Sequence, residues 1–162
     1  MLRHALIFAF AVSLPALAQS PGKFGEQTPP PGLAPEMFKP LAERKDVLSW
    51  RLLAQVELVK LKDRYVPQFS DSVVALNKKV VKVQGFMMPL EMGDKQTHFI
   101  LSAMPQTCAF CMPGGPESLV EVKSKQPVKY TFDPLILSGR LEVLKDDPTG
   151  VYYRLVDAAQ SN

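Results

Sequence analysis

Apolar and polar residues alternate along much of the second half of the chain. The stretch from Val80 to Met88 has the two-residue period of a half-buried strand, and Gly85 inside it predicts a bulge or a sharp bend. Five more short strands are predicted: Thr97 to Ala103, Leu119 to Lys123, Val128 to Phe132, Ile136 to Leu144 and Val151 to Val156. Short strands at even spacing predict a mainly β fold. We expect a small OB-like barrel, with a β-sandwich as the alternative.

The region before these strands has a mixed pattern that predicts short N-terminal helical segments and one strand. The predicted elements are a helix capped by Asp46 and ending near Ala54, a strand from Gln55 to Leu61, a turn at Lys62-Asp63-Arg64, a break at Pro67 and a helical piece from Ser72 to Leu76 capped by Ser70-Asp71.

The beginning of the chain has the pattern of a secretory signal peptide. A basic start precedes an apolar run and the A-x-A cleavage pattern Ala16-Leu17-Ala18. We therefore predict a signal peptide over residues 1–18, a Pro-rich linker over 19–45 and a single β-rich domain over 46–162. No stretch approaches the roughly 20 apolar residues of a transmembrane helix. The mature chain is expected to be periplasmic, without a membrane span.

The charge balance argues against nucleic acid as a partner. The chain has 19 Lys and Arg residues against 16 Asp and Glu residues, a net charge of +3. Without Arg3 of the signal peptide, 18 basic residues face 16 acidic ones. The basic residues are dispersed and form no tract of the kind that follows a phosphate backbone.

The two cysteines of the chain, Cys108 and Cys111, lie in a predicted connection between two strands. Prolines restrict the backbone of this connection, and Gly114-Gly115 permit a turn. Because disulfides persist in oxidising compartments, export makes a Cys108–Cys111 disulfide one use of the loop. In the chain-entropy model, such a small ring stabilises the fold by only about 2 kcal/mol.

Metal binding is a second use of the same cysteines. Two thiolates at C-x-x-C spacing can share a metal, but a structural zinc site takes four ligands. The candidates that would complete the site are His98, Met104, Met112 and the group Met87, Met88 and Met92. Thioether and thiolate together favour Cu(I), whereas zinc would need His98, a carboxylate, or the loop of a second copy in a homodimer.

Thiol–disulfide exchange is the third use, and it is the one least favoured by the residues. Redox motifs lower a thiol pKa with a helix N-terminus, but Pro113 and the glycines after Cys111 prevent a helix there. Met112 stands where a c-type haem site needs histidine. The chain also lacks a recognisable paired-carboxylate, serine-triad or phosphate-loop signature. A non-enzymatic role is therefore favoured, and a binding module with a purely structural disulfide remains an alternative.

Two motifs resemble those of an uncharacterised family of exported bacterial proteins. They are the strand Gly85-Phe86-Met87-Met88-Pro89-Leu90 and the loop Thr107-Cys108-Ala109-Phe110-Cys111-Met112-Pro113. The family is similar to periplasmic accessory proteins encoded beside ABC-type metal importers, often in zinc-responsive clusters. The resemblance implies a transition metal as cargo and a transporter, or another periplasmic or membrane protein, as partner.

Overall fold

Seven strands, two short α-helices and one 3-10 helix make up the regular structure of the described residues. A computed structural model describes residues 41–42, 44–105 and 114–161. The elements are α1 (Trp50–Leu53), β1 (Val56–Leu61), β2 (Arg64–Phe69), α2 (Asp71–Val74), β3 (Val80–Pro89), β4 (Lys95–Ser102), a 3-10 helix (Pro116–Ser118), β5 (Leu119–Lys129), β6 (Leu135–Val143) and β7 (Tyr153–Ser161). The predicted signal peptide and nearly all of the predicted linker lie outside these residues.

Five of the strands close into a barrel in the order β3-β4-β5-β7-β6. Strands β5 and β7 pair in parallel, and the other four pairings around the barrel are antiparallel. The predicted mainly β, OB-like barrel is confirmed. A closed barrel has no two separate sheets, so the β-sandwich alternative is wrong.

Gly85 marks the point where β3 exchanges one neighbour for another. Residues up to Gly85 pair with β6, and residues from Phe86 onward pair with β4. A Cβ atom on Gly85 would lie 2.6 Å from the backbone oxygen of Ser102 and 2.7 Å from Cγ of Leu101. Such distances are well inside van der Waals contact, so this position needs a residue without a side chain. The sequence predicted a bulge or a sharp bend at this glycine, and the structure shows a change of strand partner there.

The barrel interior is filled by apolar side chains, and both short helices pack against this core. Leu53 of α1 and Val73 of α2 are fully buried within it. The hydroxyl of Tyr153 donates a 2.5 Å hydrogen bond to the carbonyl oxygen of Leu53, and Phe69 contacts the ring of Tyr153. The segment before β3 is therefore joined to the barrel by packing and by a buried hydrogen bond.

The sequence prediction missed strand β2. Arg64 and Pro67, expected to be a turn and a break, lie inside β2, which pairs with β1 in a separate two-stranded ribbon. The prediction also divided β5 in two at Gln126-Pro127, but β5 runs without interruption from Leu119 to Lys129. Proline is compatible with both strands because Pro67 is on an edge and Pro127 lies at a register shift opposite β4.

The predicted helix caps had different outcomes. Ser70 caps α2, since its hydroxyl accepts a hydrogen bond from the backbone N–H of Val73. Asp46 does not cap α1, whose N-cap is Ser49. The carboxylate of Asp46 instead accepts two hydrogen bonds from Arg44, at 2.9 and 2.8 Å.

Within the described residues, no helix has the length and apolar character that crossing a membrane requires.

Candidate functional site

His98 lies on the outer surface of the barrel and contacts a carboxylate on the neighbouring strand. Its neighbours Phe99 and Leu101 face the core, which places His98 on the opposite face of β4. Its Nε2 atom is 2.7 Å from Oε1 of Glu121 on β5. The side chain of His98 is 40% exposed and that of Glu121 is 11% exposed. The imidazole is therefore accessible while its carboxylate partner is largely covered.

Glu121 is itself held by two further residues. Nε of Arg154 on β7 donates to its second oxygen, Oε2, at 2.5 Å. Nη2 of Arg154 donates to Oδ2 of Asp147 at 2.9 Å, and Oδ1 of Asp147 accepts the backbone N–H of Thr149 at the same distance. We call His98, Glu121, Arg154 and Asp147 the polar chain. It crosses three strands and ends in the β6–β7 loop, so the position of His98 is supported from several elements.

The polar chain keeps Glu121 ionised. Burial alone would raise the pKa of Glu121, but the hydrogen bonds from His98 and Arg154 together hold that pKa below its ordinary value. Burial also disfavours the charge on Arg154, yet Glu121 and Asp147 raise its pKa above the ordinary value. At neutral pH, an ionised carboxylate therefore faces Nε2 of His98.

This arrangement assigns the tautomer of a neutral His98. An ionised carboxylate only accepts hydrogen bonds, so Nε2 must carry the proton that Glu121 accepts. The lone pair of the neutral ring then lies on Nδ1. Histidines that bind metals commonly donate their other ring N–H to a carboxylate in this way, which fixes the ring orientation and increases its basicity. The polar chain thus prepares Nδ1 of His98 as a ligand atom.

Met104 lies at the base of the loop that holds the cysteines, away from His98. Its backbone N–H donates to Oγ of Ser102 at 3.1 Å, and its Cε lies 3.4 Å from the position of a Cβ on Gly114. The four residue steps from His98 to Ser102 alone span about 13 Å of strand. Of the predicted ligands, the structure therefore does not bring His98 and Met104 together.

The predicted ligands Cys108, Cys111 and Met112 lie outside the described residues. The two ends of their loop are joined by a hydrogen bond from the N–H of Ala103 to the carbonyl of Ser118, at 3.1 Å. Groups of three or more His, Cys, Asp or Glu that could hold a metal are absent from residues 41–42, 44–105 and 114–161. A metal site that includes His98 would accordingly need ligands from outside the described residues, and the cysteine loop is one source of them.

A small apolar cluster on the outer face lies between the loop base and the polar chain. Met88, Ile100 and Leu119 contact one another there and are 8%, 8% and 3% exposed. Ile100 is the direct cross-strand neighbour of both Met88 and Glu121. The outer face of β3, β4 and β5 is therefore apolar near the loop and polar beside it.

The three methionines proposed as alternative soft ligands do not converge. Met87 is in the barrel core, Met88 belongs to the outer apolar cluster, and Met92 is fully exposed in the β3–β4 loop. Consecutive strand residues face opposite sides of a sheet, so Met87 and Met88 cannot share one metal. Packing in the core and in the outer apolar cluster accounts for Met87 and Met88.

Comparison with protein families matches residues 35–156 to the family described as "Protein of unknown function (DUF3299)". The chain belongs to the DUF3299 family. A crystal structure of a DUF3299 family protein from Pseudomonas aeruginosa PAO1 is similar, with 20% sequence identity, 59% of this chain and 68% of that chain covered, and a TM-score of 0.47. No curated protein matches the chain. The predicted membership of an uncharacterised family is confirmed.

The sequence interpretation of this DUF3299 protein missed three members of the polar chain. Glu121 had one signal, because it is the charged residue within the apolar run Leu119-Val120-Glu121-Val122, and charged residues are seldom so well covered unless they are paired. Arg154 and Asp147 had none. Arg154 reaches Glu121 through the parallel pairing of β5 with β7, which alternation alone does not predict, and Asp147 joins the chain only through Arg154.

Proposed function

We propose that this DUF3299 protein is an exported, non-enzymatic accessory protein that binds a transition metal through Cys108, Cys111 and Nδ1 of His98. The observation that carries the proposal is the 2.7 Å contact between Nε2 of His98 and Glu121, whose charge Arg154 supports. An accessible imidazole fixed by a buried carboxylate is the arrangement that a metal-binding histidine uses.

The reach of the cysteine loop is compatible with this ligand set. Eight residues separate Pro105 from Gly114. A segment of this length that doubles back extends about 13 Å from its base, four residues out and four back. The distance along β4 from Ser102 to His98 is also about 13 Å, and the loop begins three residues beyond Ser102, after Pro105. The proposal therefore requires the loop to fold back over β4, so that two thiolates and the imidazole of His98 meet on the outer face.

Which metal binds depends on whether His98 or the methionines complete the site with the two cysteines. Cys, Cys and His are ligands that zinc takes, and three protein ligands leave a fourth position for water or for a receiving protein. Met104 at the loop base, together with Met112, would instead add thioethers and favour Cu(I). The polar chain behind His98 favours the zinc set, because nothing comparable orients the sulfur of Met104 among the described residues.

The proposed biological role is to bind or transfer the metal in the periplasm in support of a membrane transporter. The transporter is supported by the resemblance to proteins encoded beside ABC-type importers. A set of three protein ligands also suits transfer better than permanent storage, since the fourth coordination position stays open.

Titration of the reduced, purified protein with Zn²⁺ and with Cu(I) tests the metal site. We expect stoichiometric zinc binding that Cys108→Ser abolishes and that His98→Gln weakens through loss of a ligand. Glu121→Gln, which removes the carboxylate behind that ligand, should weaken binding by about 10- to 100-fold. Met104→Leu should change zinc affinity little. The matched control is Lys123→Gln, which alters the exposed cross-strand neighbour of His98. Undiminished zinc uptake by Cys108→Ser would contradict the proposal. Loss of Cu(I) binding in Met104→Leu alone would identify copper, and not zinc, as the metal.

A further inference from the structure

The β1–β2 ribbon presents an open strand edge. The two strands form a sheet of their own, and five consecutive residues of β1, from Glu57 to Leu61, are exposed. Four of its apolar side chains are exposed by 38–65%: Leu58, Val59, Leu61 and Tyr65. A two-stranded ribbon is marginal on its own and gains stability from a third strand.

The hydrogen-bonding pattern of the ribbon identifies which backbone groups point outward. Gln55 accepts a hydrogen bond from the N–H of Ser70, which makes Gln55 and Ser70 a hydrogen-bonded pair. Such pairs alternate along an antiparallel ladder, so Glu57, Val59 and Leu61 also bond to β2. The N–H and C=O groups of Leu58 and Lys60 must therefore point away from β2.

The two edges of the ribbon differ in what they offer. On β2, the residue opposite Leu58 is Pro67, which has no N–H to donate to a further strand. On β1, the outward N–H and C=O groups of Leu58 and Lys60 have no third strand beside them among the described residues. The β1 edge is thus the one at which a strand can be added.

The charges of β1 disfavour a second copy of this chain as that strand. In a symmetric antiparallel pair, the outward-pointing residues of one copy must face those of the other. A register centred on Glu57 places the two copies of Glu57 directly opposite each other, and one centred on Lys60 does the same for the two copies of Lys60. Registers centred on Leu58 or Val59 leave the same like charges as diagonal cross-strand neighbours. Like charges at these cross-strand positions are unfavourable.

We propose that the β1 edge binds an extended segment of another protein as a third, antiparallel strand. Charge complementarity places an acidic residue opposite Lys60 and a basic residue opposite Glu57, with apolar residues opposite Val59 and Leu58. The partner segment therefore reads, from its N-terminus, apolar, acidic, apolar, apolar, basic, apolar.

A peptide with the sequence Val-Glu-Leu-Val-Lys-Leu matches this pattern and serves as the probe. It equals the sequence of β1, Val56–Leu61, but in this register it uses the edge that β2 already occupies in the folded protein. The free peptide can therefore bind where a folded second copy cannot. The control peptide exchanges the two charges, as Val-Lys-Leu-Val-Glu-Leu.

Fluorescence anisotropy of the labelled peptides with the full chain tests the proposal. The probe should bind about tenfold more tightly than the control peptide. The double variant Glu57→Lys/Lys60→Glu should reverse that preference, because both side chains are exposed and their charges decide the pairing. Leu58→Pro should abolish binding, since it removes an outward N–H and leaves the ladder to β2 intact.

Circular dichroism and thermal unfolding of each variant establish that the barrel is retained. Equal affinity for both peptides, binding that persists in Leu58→Pro, or failure of both peptides to bind the folded chain would overturn the proposal. Analytical ultracentrifugation that shows a dimer dissociated by Leu58→Pro would also overturn it in favour of a second copy.

Discussion

A single carboxylate, Glu121, connects the strands around the candidate site. It accepts from His98 on one side and from Arg154 on the other, while its own side chain is largely buried. Removing one member of a covered, charged network leaves the others without a partner, and this cost exceeds the net gain of forming the pair. The polar chain is therefore sensitive to the ionisation of Glu121.

Glu121→Gln should lower stability at neutral pH by about 1–3 kcal/mol, because Arg154 loses a charged partner. The pKa of Glu121 is lower in the folded protein than in the unfolded chain, so its contribution is present above the unfolded pKa, near 4.3. That contribution is lost as the pH falls through the lower, folded pKa. Urea unfolding at pH 7 and pH 3 measures this, and the difference between the two proteins should be smaller at pH 3 than at pH 7. An equal difference at both values would contradict the assignment.

Gly85→Ala tests the close contact at the point where β3 changes partner. We expect a loss of about 1–3 kcal/mol, because the added methyl group meets the backbone of Ser102. Gly115→Ala is the matched control, since the atoms near its added methyl belong to the flexible side chain of Glu117, and its effect should stay within about 0.5 kcal/mol. Denaturant midpoints give both values. Similar losses in the two variants would show that backbone contact is not the cause.

Among the elements, alternation of apolar residues identified most of the barrel strands but not their lengths. Strand β3 was predictable from its own residues, because a half-buried strand has apolar residues at a period of two. Pro67 and Pro127 misled the prediction. Whether proline disrupts a strand depends on whether its position needs a donor for the ladder, and that depends on neighbours far along the chain.

The candidate site was also predictable only in part from the sequence. His98 and the cysteines were recognisable as ligand types, whereas the support of His98 by Glu121 arises from a cross-strand diagonal and that of Glu121 by Arg154 from parallel pairing. Asp46 is a case in which the local sequence predicted a helix cap, but the carboxylate forms an ion pair with Arg44 instead. Local preferences are weak beside contacts that the whole fold creates.

The helices α1 and α2 provide an element-scale test of how they are attached to the barrel. Val73→Ala should cost about 1–3 kcal/mol, since it removes two buried methyl groups from the core. Tyr153→Phe should cost about 1 kcal/mol, because the carbonyl of Leu53 loses its donor. Val74→Ala, at an exposed position of the same helix, is the control for Val73. Chemical unfolding followed by the fluorescence of Trp50 measures all three; equal effects at Val73 and Val74 would refute the packing of α2.

For the whole molecule, the barrel and the proposed metal site are expected to be energetically separable. The closed barrel draws its core from strands and helices outside the cysteine loop. Ligands that bind only the folded state then add stability by mass action without being required for folding.

Thermal unfolding under reducing conditions tests this separation. With a chelator present, the wild type and Cys108→Ser/Cys111→Ser should have the same midpoint. Zinc at 100 times its Kd should stabilise the wild type by about 2.7 kcal/mol and leave the double variant unchanged. If the wild type instead failed to fold with the chelator, the metal would be an integral part of the core.

The parallel contact of β7 with β5 also determines when the barrel can be completed. β7 lies between β5 and β6 and supplies Tyr153, Leu155 and Ala158 to the core, although β5 ends more than twenty residues before it begins. During synthesis, the barrel cannot close between β5 and β6 until β7 is available. A chain stalled before Tyr153 would remain unclosed and available to chaperones, so the timing of barrel closure is set by its last strand.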